Sequence, residues 1–476
     1  MKRFTITTTV TSMTSDLVTP VGLFLNLRGK FERCLLFESS DYHTSENSFS
    51  YIAADPIASV KIDKGEISQL FPDGSKVTSN ISDLDSDKSD KISGVIRQFL
   101  SSFEVVAKSS LPKGVINGIF GYLSYDSIPL CESITFKEKG DKSEKIPLLY
   151  YTLYRYLFVI DHYSQVLHIV ENSHPHLTKE LCLNPLDLAT NSGIKLGSFK
   201  LDSETTSLMT DQDYIDSILR CKKHISRGDV FQIVPSRKFK TKYSGDDFQV
   251  YRQLRRINPS PYLFYCDFNS YRLMGSSPEA QLVVRDKKAT ISPIAGTYKR
   301  TGNDEEDSLS MKRLSTDPKE TAEHVMLVDL ARNDLSIHCY PVQVDRYKEL
   351  QLYSHVMHLV SHVSGILKEG VDPLAVLTTT FPAGTLSGAP KYKAMEIIDQ
   401  VEVENRNFYA GAIGCISFSG ESNHAIMIRT ILSKNNTIYM QAGAGIVADS
   451  EPQKELEEVK SKLAAVVKAC KLAEEI

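Results

Sequence analysis

A chain of 476 residues is long enough to bury one large core or two. Its hydrophobic fraction of 41% and charged fraction of 24% are ordinary for a globular protein. A net charge of -4 and a pI of about 6.3 leave no basic footprint for nucleic acid or an anionic membrane. No apolar run reaches membrane-spanning length, since Leu148–Val170 is broken by Arg155, Asp161 and His162. The cysteines Cys34, Cys131, Cys182, Cys221, Cys266, Cys339, Cys415 and Cys470 form no Cys-x-x-Cys pair. The Thr-rich start, Met1–Val10, lacks the apolar core of a secretory signal. Reduced thiols in a cytoplasmic protein acting on a small molecule are the expectation.

In chain order, Leu23–Leu27 and Arg33–Phe37 are short apolar runs around Arg28-Gly29-Lys30, which predicts a hairpin. A polar, Ser-rich loop is expected over Asp83–Lys91. Tyr150–Val159 and Gln165–Val170 predict a second hairpin. The polar stretch Asn172–Ser207 divides an N-terminal region, 1–200, from a second region, 201–476, and the two are expected to interleave in one large fold. Thr210-x-x-Asp213 resembles a capping box opening a helix that stops near Gly228. A strand follows at Val230–Val234. Asp317-Pro318-Lys319-Glu320 predicts a helix start, and that helix should reach about Ala331. A last helix should open at Ser450–Pro452, with Leu456, Val459, Leu463 and Val466 as its apolar stripe.

Two carboxylate groups lie near helix starts: Glu320, Glu323 and His324 in one, Glu455, Glu458 and Lys462 in the other. Capping and an i,i+4 ion pair explain them locally. One Glu from each would also suit Mg²⁺, which takes one or two carboxylates and leaves its other positions to water or substrate oxygens. Gln441–Val447 is a small-residue run after the strand Thr437–Met440. It suits either an anion approached by backbone N–H groups or a tight turn. With Ala448 it also matches G-x-G-x-x-A, but too little chain remains for a dinucleotide-binding unit. Gly384–Lys391 is a second small-residue loop without a P-loop ending. Arg429, in an apolar run, is either half of a core ion pair or a carboxylate clamp. His358 fits a core or a functional histidine.

Together, Asp229–Arg237, Ser277-Pro278-Glu279, Pro293–Thr297, Glu320–Asp334, the His358 segment, Gly384–Lys391, Arg429, Gln441–Gly445 and Glu455–Lys462 resemble the chorismate-utilising enzymes, in that family's order. The resemblance implies an α+β fold, antiparallel sheets packed as a sandwich with outer helices and a cleft between them. It implies Glu323 and Glu458 as ligands of Mg²⁺ and Glu279 as the acid that protonates a departing hydroxyl. Arg429 and Tyr409 would clamp the enolpyruvyl carboxylate. Thr385, Gly443, Ala444, Gly445 and Lys462 would contact other substrate oxygens. His358 would act in the later loss of pyruvate.

Two positions choose a branch. Water-using members resemble one another in a Lys where this chain has Gln232, and a Gln cannot deprotonate water. Aminodeoxychorismate synthases carry a nucleophilic Lys where this chain has Ala295, which cannot form that covalent bond. Gln232 favours the ammonia-using branch, and within it Ala295 favours anthranilate synthase. Leu36-Phe37-Glu38-Ser39 resembles half of the family's tryptophan pocket, and Asn258-Pro259-Ser260-Pro261-Tyr262 the other half. The inhibitor contacts implied are Glu38, Ser39, Asn258, Pro261 and Tyr262. No cysteine sits in a G-x-C-x-G elbow, so ammonia is expected from a separate glutamine amidotransferase subunit in a hetero-oligomer, with no nucleic acid and no membrane as partner.

The expected reaction converts chorismate and ammonia to anthranilate and pyruvate. The rivals are an aminodeoxychorismate synthase, a non-catalytic tryptophan-binding regulator and, more distantly, a dinucleotide-dependent oxidoreductase.

Overall fold

The computed structural model describes residues 3–39, 48–84, 91–177, 196–352 and 356–476. The predicted loop Asp83–Lys91 and the polar connection Asn172–Ser207 fall partly outside these residues.

The Thr-rich start is a strand, Phe4–Thr14, paired antiparallel with Val166–Ser173 and parallel with Phe103–Ala107. The expected first hairpin is replaced by a helix, Pro20–Arg28, followed by the strand Leu35–Glu38. Thr19 caps the helix by accepting from Gly22 N, and Pro20 presets its first turn. Leu23, Phe24 and Leu27 then share one buried face, which a reading by alternation misses. Phe24 stacks on Phe248 at 5.0 Å, so tertiary packing decides the conformation. The second hairpin forms as predicted, Leu149–Asp161 with Val166–Ser173. In its turn Asp161 accepts from the backbone N–H groups of Tyr163 and Ser164.

Strands from both halves of the chain alternate in a single, almost wholly antiparallel sheet system. Leu35–Glu38 pairs with Tyr262–Asp267, Gly118–Leu123 with Ala412–Ser417, and Phe199–Leu201 with Ser236–Gly245. Two apolar cores flank this system, one built around Tyr122, Leu153 and Ile413, the other around Phe24, Tyr251 and Val459. The architecture is α+β, antiparallel sheet with helices packed outside it. Among the described residues no helix is long and apolar enough to cross a membrane.

The later helices follow their sequence signals. Thr210 and Asp213 make a reciprocal capping box for Asp211–Ser226, and Gly228 takes a positive φ just beyond it. The helix Pro318–Ser336 outlasts its expected stop at Ala331 because Leu335 is also buried. The final helix, Pro452–Ala473, buries Leu456, Val459, Leu463 and Val466 as its spacing requires. The predicted strand Val230–Val234 is reduced to Gln232–Ile233, held by Gly388–Ala389 of the second small-residue loop.

Candidate active site

Glu279 follows the strand Tyr271–Ser277 and is only 8% exposed. Thr385 Oγ1 donates to its Oε1 at 3.1 Å. Burial raises the Glu279 pKa to about 8, against the Thr385 hydrogen bond and the positive charge of Lys462, which both lower it. A carboxyl in this state is protonated at neutral pH and can donate a proton.

Gln232 is buried, and its Nε2 donates to Glu323 Oε1 at 3.1 Å. Its own Oε1 has no partner among the described residues. Gly445 lies against this pair: a Cβ there would stand 2.8 Å from Gln232 Nε2 and 3.8 Å from Glu323 Oε1. Gly443, at the end of the strand Thr437–Gly443, is equally confined, since a Cβ there would meet Pro235 O at 2.6 Å. Its carbonyl accepts from Lys462 Nζ at 2.9 Å, and Lys462 also pairs with Glu458 at 2.8 Å. The buried Tyr409 phenol lies close by. The expected oxygen-binding turn Gly443–Gly445 is thus flanked by Glu323 on one side and by Lys462 and Glu458 on the other. Glu455, the first acid of that helix, is turned inward and buried.

Arg429 resolves the choice left by sequence. Its side chain is half-buried, and its pKa is lowered by desolvation with no acidic group opposing the shift. The side-chain contact it makes is Nη1 to Asn258 Oδ1 at 3.3 Å. Arg429 itself makes no ion pair with a carboxylate among the described residues. Arg429 also holds φ at 49°, a left-handed conformation unusual for a long side chain. A half-buried cation held this way is suited to an anionic ligand. His358 is beside it. Its Nδ1 lies 3.1 Å from Gly296 O, and a carbonyl can only accept, so Nδ1 carries the hydrogen. Burial, with a smaller contribution from Arg429, lowers the His358 pKa to about 4. The imidazole is therefore neutral at neutral pH.

The donors available to a metal are the Glu323 and Glu458 carboxylates, hard oxygens of the kind Mg²⁺ takes. Among the described residues no three His, Cys, Asp or Glu side chains converge on one point. Two carboxylate donors fit an ion that draws its remaining ligands from water or substrate.

The two halves of the expected inhibitor pocket meet. Glu38 faces Leu263 across the strand pair, which places it beside the Pro261-Tyr262 turn. Its carboxylate accepts from Tyr251 Oη at 2.5 Å and from Arg255, both on the helix Phe248–Ile257 that ends at Asn258. Ser39 is half-buried next to it. Asn258 touches Arg429, so this pocket and the cleft adjoin.

With this geometry in hand, comparison with known proteins is decisive. The pattern of the family described as chorismate binding enzyme matches residues 32–468. The chain belongs to the chorismate-binding enzyme family. Curated family members similar to it include anthranilate synthase component 1 of Aquifex aeolicus (strain VF5), 36% identical over 98% of this chain and 94% of that protein. Another is anthranilate synthase component 1 of Bacillus subtilis (strain 168), 35% identical over 98% and 92%. The crystal structure of anthranilate synthase component I from Streptococcus pneumoniae TIGR4 aligns with a TM-score of 0.72 at 31% identity, covering 95% of this chain and 99% of that one.

Sequence reasoning missed the buried pair Arg406–Glu402, which ties together segments far apart in the chain. Arg406 is 2% exposed. Its Nη1 donates to Leu386 O at 2.7 Å, its Nη2 to Val234 O at 2.5 Å, and its ring neighbours are Tyr125 and Tyr409. Glu402 in turn accepts from Ser236 N and Oγ. The only local signal is the i,i+4 spacing, which reads as an ordinary surface pair.

Proposed function

We propose that this protein is the chorismate-converting component of an anthranilate synthase: chorismate and ammonia give anthranilate, pyruvate and water. The observation that carries the reading is that a buried carboxyl held in its acid form, Glu279, neighbours a half-buried guanidinium without a carboxylate partner among the described residues, Arg429: Ser276 N–H donates to Arg429 O, and Ile426 N–H donates to Glu279 O. A substrate with a carboxylate to bind and a hydroxyl to lose is what such a pair serves.

Arg429 and Tyr409 hold the enolpyruvyl carboxylate and fix the ring in the cleft. Glu279 gives its proton to the ring hydroxyl as the C–O bond breaks, so that the oxygen leaves as water. Ammonia adds to the ring on the side of Gln232, whose unpartnered Oε1 can accept one of its N–H bonds. His358, neutral and with Nε2 unprotonated, takes the ring proton in the elimination that releases pyruvate. Glu323 and Glu458 would hold Mg²⁺, which when bound supplies charge for the ring carboxylate and polarises the ring. Gln232 keeps Glu323 oriented for that task.

Ala295, buried in the strand Ile294–Lys299, offers no amine to trap the ring. This supports an aminated product that goes on to lose pyruvate. Ammonia would come from a glutamine amidotransferase partner, and tryptophan would inhibit through the Glu38–Ser39 and Asn258–Tyr262 segments. The test is product identification: chorismate, Mg²⁺ and ammonium incubated with the purified chain, with the aromatic product resolved by chromatography. Anthranilate and pyruvate in equal amounts support the reading; an aminated product that keeps its pyruvyl group contradicts it.

A further inference from the structure

Beside Glu279 and Thr385 lies a small cavity of about 30 Å³. A site that size holds a water molecule when polar groups face it. Here they do: Glu279, Gln281, Asp334 and Thr385 are among its lining, with Leu327 and Ile426 on its apolar walls. Gln281 is 2% exposed. Its Nε2 donates to Thr380 O at 3.0 Å, while its Oε1 is buried without a partner among the described residues. A buried amide oxygen in that state calls for a donor.

The far wall leads outward. Asp334 Oδ2 accepts from Lys391 Nζ at 2.7 Å, and both side chains keep 13% of their exposure. Lys391 Nζ also donates to Thr380 O, the carbonyl that Gln281 uses, so Gln281, Lys391 and Asp334 form one network. Nothing in the proposed chemistry uses these three residues. Yet each turnover strips Glu279 of a proton in a place closed to bulk solvent, and that proton must come back.

We propose that the chamber binds one water, held by Gln281 Oε1, through which the Asp334–Lys391 pair returns a proton to Glu279. The water gives one O–H proton to the Glu279 carboxylate and takes one from the pair. The pair regains its proton from solvent, which receives an equal one when the added ammonia nitrogen is neutralised. Only O–H and N–H bonds change, and no electrons are transferred. The relay rests on Glu279 acting as the acid proposed above.

Asp334→Asn and Gln281→Met, made separately in the full chain, test it with chorismate, Mg²⁺ and saturating ammonium. The relay predicts that Asp334→Asn lowers kcat by about ten-fold or more, within the range for losing a proton-transfer group. The KM values for chorismate and ammonium should stay unchanged. The solvent deuterium isotope effect on kcat should exceed that of the parent, and added imidazole buffer should restore part of the rate. Gln281→Met, which keeps the volume and removes the acceptor, should show the same signature more weakly. If Asp334→Asn does not fold, Gln281→Met carries the test alone. A fall in kcat with neither a larger isotope effect nor buffer rescue would mean a structural role and overturn the relay. So would two variants that match the parent. A parent chain that consumes no chorismate would instead sink the functional reading, and the relay with it.

Discussion

Gln232 Nε2 donates to Glu323 Oε1 across 3.1 Å, and these residues stand 91 positions apart in the chain. The contact joins the position expected to distinguish ammonia-using from water-using members to one of the two carboxylates proposed for Mg²⁺. Gln232→Leu should therefore act on the metal as well as on the nucleophile. An outer partner of a metal ligand is commonly worth 10- to 100-fold in affinity, so the Mg²⁺ concentration for half-maximal turnover should rise by about that factor. Titration of activity with Mg²⁺ checks it; an unchanged midpoint contradicts it.

Gly445→Ala offers a gentler probe of the same contact. The new Cβ would meet the far end of the Gln232 side chain at 2.8 Å, which can swing aside, and no backbone atom lies as close. The variant should fold with a melting temperature within a few degrees of the parent's, since surface-like adjustments cost about 0.5 kcal/mol. It should lose kcat/KM several-fold because Glu323 loses its orienting donor. Calorimetry beside steady-state kinetics separates the two effects.

The acid form of Glu279 sets a pH limit. Burial raises its pKa to about 8, so kcat should fall as pH rises through that value. Thr385 donates a hydrogen bond that favours the charged form. Thr385→Val removes this bond, so the alkaline limb should move to higher pH. The same shift bears on stability. A carboxyl whose folded pKa exceeds its unfolded one contributes stability that is full below its ordinary value of 4.5 and is lost as pH rises through about 8. Glu279→Gln should flatten that part of the melting-temperature profile and abolish turnover. A limb that stays in place in Thr385→Val would contradict the assignment.

Arg429→Ala should raise the KM for chorismate far more than it lowers kcat, because the carboxylate it binds does not react in the first step. A hydrogen bond to a charged group is worth about 1.5–3 kcal/mol, which predicts a rise of about 10- to 100-fold. Arg429→Lys should recover little, since an ammonium cannot present the planar fork. Equal losses in kcat and kcat/KM would place Arg429 in the transition state instead.

Ser39→Phe should leave turnover intact and relieve inhibition by tryptophan. The chain contains no Trp. The fluorescence of bound tryptophan can therefore be followed without a protein background, and inhibition and binding can be compared directly. Full inhibition in Ser39→Phe would remove that residue from the pocket.

Features with a local cause were legible before the fold was known. The Thr210–Asp213 capping box, Pro318 at a first helical turn and the stripe Leu456–Val466 each satisfy a rule acting within a few residues. The motif positions Glu279, Glu323, Arg429 and Gly443–Gly445 were legible too, but only as a set. Alone, Arg429 read equally well as a core ion pair, and the absence of a carboxylate beside it emerges only from packing. The helix Pro20–Arg28 was hidden because its apolar residues are too few to show a period, and Phe248 supplies the surface that makes helix the better choice. The Arg406–Glu402 pair and the Asp334–Lys391 pair carry no sequence signal of their burial, which depends on chain segments that arrive from far away.

The most direct measurement is anthranilate fluorescence from the purified chain with chorismate, Mg²⁺ and ammonium, repeated with Glu323→Gln and Glu458→Gln. The reading predicts a rising signal with the parent that requires Mg²⁺, and none with either variant. Anthranilate formed at the parent rate by both variants would contradict the metal assignment. Chorismate left unconsumed by the parent under all of these conditions would contradict the proposed reaction itself.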